Sequence, residues 1–164
     1  MNLRRWTALT LLGVLLAATA VLADDWSEYR SDEYGFSMKI PAGATFEEKE
    51  AADGWGFLHA ESEGVEFFAL AKLGTQATAE EIEKVGVKIS GIDGKHWKVI
   101  DKGESRNGWK WWRTVEASDG HTLVFAGYGT GPKGSYLCFL KTTEEDYKAH
   151  QAHYKQWYES VKLH

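Results

Sequence analysis

Between Trp109 and Phe139 the chain alternates in a way that predicts strands with two apolar faces. Leu123 and Phe125 share one parity, while Val124, Ala126 and Tyr128 share the other. Farther on, Cys138 and Leu140 oppose Leu137 and Phe139. In the segment before them, Trp109, Trp111, Arg113 and Val115 fall on one side, and Lys110, Trp112, Thr114 and Glu116 on the other. Asn107-Gly108 and Asp119-Gly120 are hairpin signals, because both central residues of a type I′ turn need positive φ. A sheet with one wet face would show a clean apolar–polar alternation instead. The pattern therefore predicts three neighbouring antiparallel strands at the centre of one sheet, with both faces covered.

Upstream, Tyr34, Phe36, Met38 and Ile40 share a parity against Ser37 and Lys39, and Pro41-Ala42-Gly43 ends that strand. The polar stretch from Asp24 to Glu33 precedes it, with Trp26 and Tyr29 as its anchors. Thr45–Lys49 is a further strand. Trp55–Glu61 and Val65–Leu73 form a hairpin closed at Glu63-Gly64, with Val65, Phe67, Ala69, Ala71 and Leu73 on one face and Phe68 and Leu70 on the other. A helix begins near Thr78, where Thr78 and Glu81 have capping-box spacing. Ile82, Val85, Gly86 and Ile89 follow at helical intervals, and Gly91 and Gly94 stop it. His96–Lys102 opens the meander, and the loop Gly129–Gly134 joins its last two strands. The final helix is expected from Thr143 to Lys162, capped by Thr142 with Glu145. Its stripe is Tyr147, His150, Gln151, Tyr154, Trp157, Tyr158 and Val161, an amphipathic spacing that suits a sheet cover.

The run Tyr34-Gly35-Phe36-Ser37-Met38-Lys39-Ile40-Pro41-Ala42-Gly43 resembles the opening strand of PsbP-like domains. The order of elements, from about Tyr29 to Lys162, is similar too. Ala44 departs from the pattern, since an aromatic residue is common there. The resemblance implies an α+β fold, an α–β–α sandwich in which helices cover both faces of an antiparallel sheet. It also implies a binding or accessory module, for such domains include extrinsic photosystem subunits, a Ran-binding protein and exported bacterial proteins. No photosynthetic role and no binding residue is carried over.

Composition adds a compartment. Arg4 and Arg5 precede an apolar run, Ala8–Leu22, and Val21-Leu22-Ala23 precedes Asp24, which is the layout of a secretory signal peptide over residues 1–23. An uncleaved anchor is the rival reading, though the run is short for a span. Residues 24–164 are expected to form one domain in the periplasm or outside the cell. Removing Arg4 and Arg5 reduces 19 basic residues to 17 against 24 acidic ones, a formal charge of −7 with histidines neutral. Such a balance offers no electrostatic footprint for nucleic acid, and no stable membrane insertion is expected once the leader is gone. Cys138 is the sole cysteine, so an exported chain without an internal disulfide must be held by its core.

Few residues point to chemistry. His150 and His153, three apart on the last helix, can reach one metal ion; alternatively His150 is a rim histidine on the apolar stripe. A metal site needs a third or fourth ligand. The Gly127–Gly134 stretch carries Lys133, but a phosphate loop needs Lys followed by Ser or Thr ahead of a helix, so a hairpin contact loop fits better. Ser118, Asp119 and His121 are hairpin neighbours and cannot aim at one another as a triad. Cys138 lies inside a central strand, where a nucleophile is inaccessible. The carboxylates Glu47, Glu48 and Glu50, and Glu61, Glu63 and Glu66, read as solvated edges. Arg113 stands out among tryptophans. It stacks on Trp109 or Trp111, pairs with a carboxylate across the sheet, or joins Trp109 and Trp111 in a groove open to a ligand or partner; exposed Trp and Arg favour contact sites. The candidate contact residues are therefore Trp109, Trp111, Arg113 and Lys133. The leading expectation is a non-enzymatic accessory domain of the cell envelope that binds a protein or small ligand without a cofactor. A hydrolase of unrecognised type, using an acidic cleft residue with Arg113 or His121, and a metal-binding accessory protein through His150 and His153 are the alternatives.

Overall fold

The computed structural model describes residues 26–50 and 52–164, so the expected leader over residues 1–23 and its cut lie outside the described residues. The strands are β1 (Trp26–Ser31), β2 (Phe36–Pro41), β3 (Thr45–Glu50), β4 (Gly56–Ser62), β5 (Val65–Leu73), β6 (Trp97–Arg106), β7 (Trp109–Ser118), β8 (Thr122–Thr130), β9 (Gly134–Thr143) and β10 (Lys162–Leu163). The helices are α1 (Ala79–Ser90) and α2 (Glu144–Glu159). Seven strands form one antiparallel sheet in the order β3-β4-β5-β9-β8-β7-β6. β9 is its middle strand, with β8 and β7 beside it, so the meander lies where the doubled apolar pattern put it.

Strand parity sorts the side chains into two packed groups, as a period of two requires. Val65, Phe67, Ala69, Leu123, Phe125, Cys138 and Leu140 join Tyr147, Tyr154 and Trp157 of α2. Phe68, Leu70, Val115, Val124, Ala126, Tyr128, Leu137 and Phe139 join Ile82 of α1. The α2 side has a further occupant. β1, β2 and β10 make a separate three-stranded sheet, with β2 between the other two. Its Phe36, Met38, Ile40 and Leu163 belong to the same packed group as α2. Helices were expected to cover both faces; on this side a small sheet shares the work.

Local signals explain most boundaries. Thr78 and Glu81 form the reciprocal capping box, and Gly91 ends α1 in the left-handed region at φ 76°. A Cβ on Gly86 would lie 2.4 Å from Cη2 of Trp97, so the glycine is what lets the first indole of β6 lie against α1. Asn107 and Gly108, at φ 50° and 86°, make the expected turn. The Asp119-Gly120 turn differs. Gly120 alone has positive φ, and the Asp119 carboxylate accepts from the backbone N–H groups of His121 (3.0 Å) and Thr122 (2.8 Å). The glycine-rich loop shrinks to residues 131–133, because Gly129 and Thr130 remain in the ladder with Tyr136 and Ser135.

Other expectations need correction: α2 ends at Glu159, short of the expected Lys162, which lies in β10. The cap of α2 is Thr143, whose hydroxyl accepts from Asp146 N, not Thr142. β9 runs on to Thr143, and Thr142 still pairs with Leu123. Trp109 does not share a face with Trp111. The β7–β8 ladder begins at Trp111, so Trp109 sits on a two-stranded tip that is free to twist. That tip is held by Leu163 N donating to Asn107 O at 2.9 Å. Trp109 consequently packs edge-on to Tyr136, with centroids 6.1 Å apart.

Candidate binding cleft and ribbon groove

A cleft of about 490 Å³ lies between α2 and the β6–β8 end of the large sheet. Small-molecule sites commonly occupy ~300–1,000 Å³. Phe125 of β8 forms the floor, with its ring 5.8 Å from that of Tyr147 and 5.5 Å from that of Tyr158. Gly127 makes this possible, since a Cβ there would stand 2.0 Å from Cε2 of Tyr158. Asp101, Arg106, Glu116, Lys155 and Glu159 supply charges of both signs around the mouth.

The polar groups inside are largely engaged with one another. The Tyr147 hydroxyl donates to Glu116 at 2.8 Å, and Thr114 Oγ1 donates to the Tyr158 hydroxyl at 3.2 Å. Burial first, and then the Glu116 carboxylate, push the Tyr147 hydroxyl well above the usual phenol range. Neither tyrosine is thus poised to give or take a proton near neutrality. Cys138 is sealed, and burial pushes its thiol up to about 12, so it supplies no thiolate. His121 is exposed on its turn.

The residues singled out from the sequence do not converge. Trp109 is buried at 4 % exposure. Lys133 donates to the backbone carbonyls of Asp32 and Glu33, which ties the β8–β9 loop to the β1–β2 turn. Trp111 and Arg113 do come together. With Lys102, Gly103, Glu104 and Trp112 they line a groove of about 430 Å³ on the β6–β7 ribbon. Arg113 is the cross-strand neighbour of Tyr128, whose hydroxyl donates to Glu83 at 2.9 Å. The cation stacked on an indole is instead Arg106, 5.7 Å from the Trp112 ring.

His150 and His153 are drawn to different partners. His150 Nδ1 is 2.9 Å from Asp146 Oδ1, and the helix is distorted there, with φ −121° and ψ 18°. The His153 ring packs on Trp26 with centroids 4.7 Å apart. Among the described residues no cluster of three or more His, Cys, Asp or Glu side chains is arranged to hold a metal ion. One edge carboxylate also has a structural partner, since Glu48 accepts from the Tyr29 hydroxyl at 2.8 Å.

The cleft was invisible in sequence because its wall residues come from four separated elements. Lys102 was legible. A two-residue turn at Asn107-Gly108 pairs Arg106 with Trp109, and counting back sets Lys102 opposite Arg113.

No protein-family model matches the chain, and no curated protein matches it. Among solved structures, it is similar to cyanobacterial PsbP (CyanoP) from Synechocystis sp. PCC 6803, with a TM-score of 0.61 and 14 % identity over 93 % of this chain and all of that one. The fold is thus PsbP-like. A protein of unknown function from Pseudomonas aeruginosa, PA94, described as a putative regulator, aligns over 82 % of this chain and 94 % of its own at 13 % identity, with a TM-score of 0.40. Among the described residues no helix is long and apolar enough to cross a membrane.

Proposed function

We propose that the chain is an exported, non-enzymatic binding domain of the cell envelope whose α2 cleft takes a small amphipathic ligand. Its layering is read as α1, large sheet, and α2 with the small sheet, an α–β–α arrangement that fits the PsbP-like fold. The observation that carries the reading is the cleft itself, an aromatic floor under a rim of mixed charge. Its internal hydroxyls are bonded to Glu116 and Thr114 rather than aimed at a reacting atom. A site of that kind favours recognition over turnover, since a nucleophile needs a base within reach. The leader over residues 1–23 supports export.

Ala152 is exposed and lines the cleft, so Ala152→Trp fills the opening without entering the core. A ligand-observed NMR screen of small amphipathic molecules is expected to find binders that lose about tenfold or more in affinity with the variant, roughly 1.4 kcal/mol or more. Binders indifferent to Ala152→Trp, or turnover on an ester and glycoside panel, would count against this reading.

A further inference from the structure

A second site stands on the opposite side of the same two strands. Across β6 and β7, Lys102 is the direct partner of Arg113. Like charges placed opposite each other on adjacent strands destabilise a sheet, so the pair has a cost in the absence of a counter-ion. No ion pair is formed by either side chain among the described residues.

A bulge maintains this pairing. The register shifts between Val99 and Asp101. Had the pairing of Trp97–Val99 continued unchanged, Arg113 would have faced Asp101 and been neutralised. Instead Asp101 pairs with Thr114, on the side of the cleft. β-bulges commonly re-aim side chains at functional positions.

The surroundings are built to hold the guanidinium. Tyr128, fully buried, is the β8 neighbour of Arg113. Its hydroxyl donates to Glu83, so that carboxylate is already engaged. Trp111, half-buried, follows on the same face, with its ring edge-on to Tyr128 at 6.3 Å. Its cross-strand partner Glu104 is the one carboxylate lining the groove. Arg presents a planar fork that matches oxyanions, and an indole offers a flat surface for a ring.

We infer that the Lys102–Arg113 pair and Trp111 form a binding site for a soluble ligand that carries a phosphate-type oxyanion on a planar ring. The anion neutralises the opposed cations, and the ring lies on the indole. The site is independent of the α2 cleft, on the other face of the ribbon.

The test uses phenyl phosphate and inorganic phosphate as probes, read by tryptophan fluorescence and by amide shifts of β6 and β7. Phenyl phosphate is expected to bind saturably and at least about tenfold tighter than inorganic phosphate, as stacking on an aromatic face predicts. Lys102 is exposed, so Lys102→Gln should fold normally and weaken binding about tenfold or more, the scale of one charge-assisted hydrogen bond. Arg113→Gln should do the same, and Glu104→Gln should tighten binding. Ala152→Trp should leave it unchanged, which separates this site from the cleft. Equal affinity in the native protein and in Lys102→Gln would overturn the proposal. Sedimentation with phosphatidylglycerol vesicles without any phenyl phosphate response would overturn it too, since the anion would then be a lipid headgroup.

Discussion

The two sides of the β6–β7 ribbon use neighbouring residues to opposite ends. On the α2 side, Glu116 and Thr114 are joined to the hydroxyls of Tyr147 and Tyr158, so the polar groups of the cleft are satisfied from within. On the α1 side, Lys102 and Arg113 face one another with no carboxylate in ion-pair contact among the described residues. The difference arises from strand parity and one bulge. Residues one apart on a strand point to opposite faces, so a single extra residue at Ile100 decides which cation meets which anion. One face is finished by folding, whereas the other sets two cations opposite each other beside a single groove carboxylate, Glu104.

The comparison is broken most strongly from the α2 side. Trp157 is fully buried and packs edge-on to Phe67 at 5.4 Å. Trp157→Ala is expected to cost about 3–5 kcal/mol in urea unfolding. An unchanged midpoint would show that α2 contributes little to the core. Gly127→Ala comes next. Its Cβ would meet the Tyr158 ring, and such overpacking costs about 1–3 kcal/mol. Thermal unfolding should show that loss, together with loss of ligand binding in the cleft and none at the groove.

Smaller effects sharpen the contrast. Thr143→Ala removes the α2 cap and should cost about 1 kcal/mol by denaturant titration, as should Thr78→Ala in α1. Asp146 supplies a pH test. Burial raises its pKa, but hydrogen bonds from Tyr154, Thr142 and His150 outweigh it and leave the carboxyl below its ordinary 3.8. A depressed carboxyl contributes stability that is full above its unfolded value and fades as pH falls through the folded one. The chain should therefore lose stability below about pH 4, and Asp146→Asn should flatten that acid limb. Lys102→Gln should leave stability within about 0.5 kcal/mol or raise it slightly. A clear loss would mean that Lys102 is structural, and the contrast between the two faces would fail.

Much of this architecture could be read before any coordinates. The face assignments of β5, β8 and β9 follow from strict alternation, because each of these strands is paired on both edges and cannot rotate. The cap of α1 follows from two residues three apart. Trp109 escaped the same rule because β8 ends before reaching it, and a two-stranded tip twists. The small sheet escaped as well. β10 is only two residues long and pairs with β2, more than a hundred positions away, and no local pattern encodes so distant a partner.

Alternation, turn chemistry and caps are properties of adjacent residues, so the linear chain alone determined the central strands, the start of α1 and the faces of β5, β8 and β9. The α2 cleft depends on Tyr158 settling over Gly127, and the three-stranded sheet depends on β10 meeting β2. Both arise from contacts between segments remote in the chain, whose free energy exists only once the fold has closed, and so only the tertiary structure decided them.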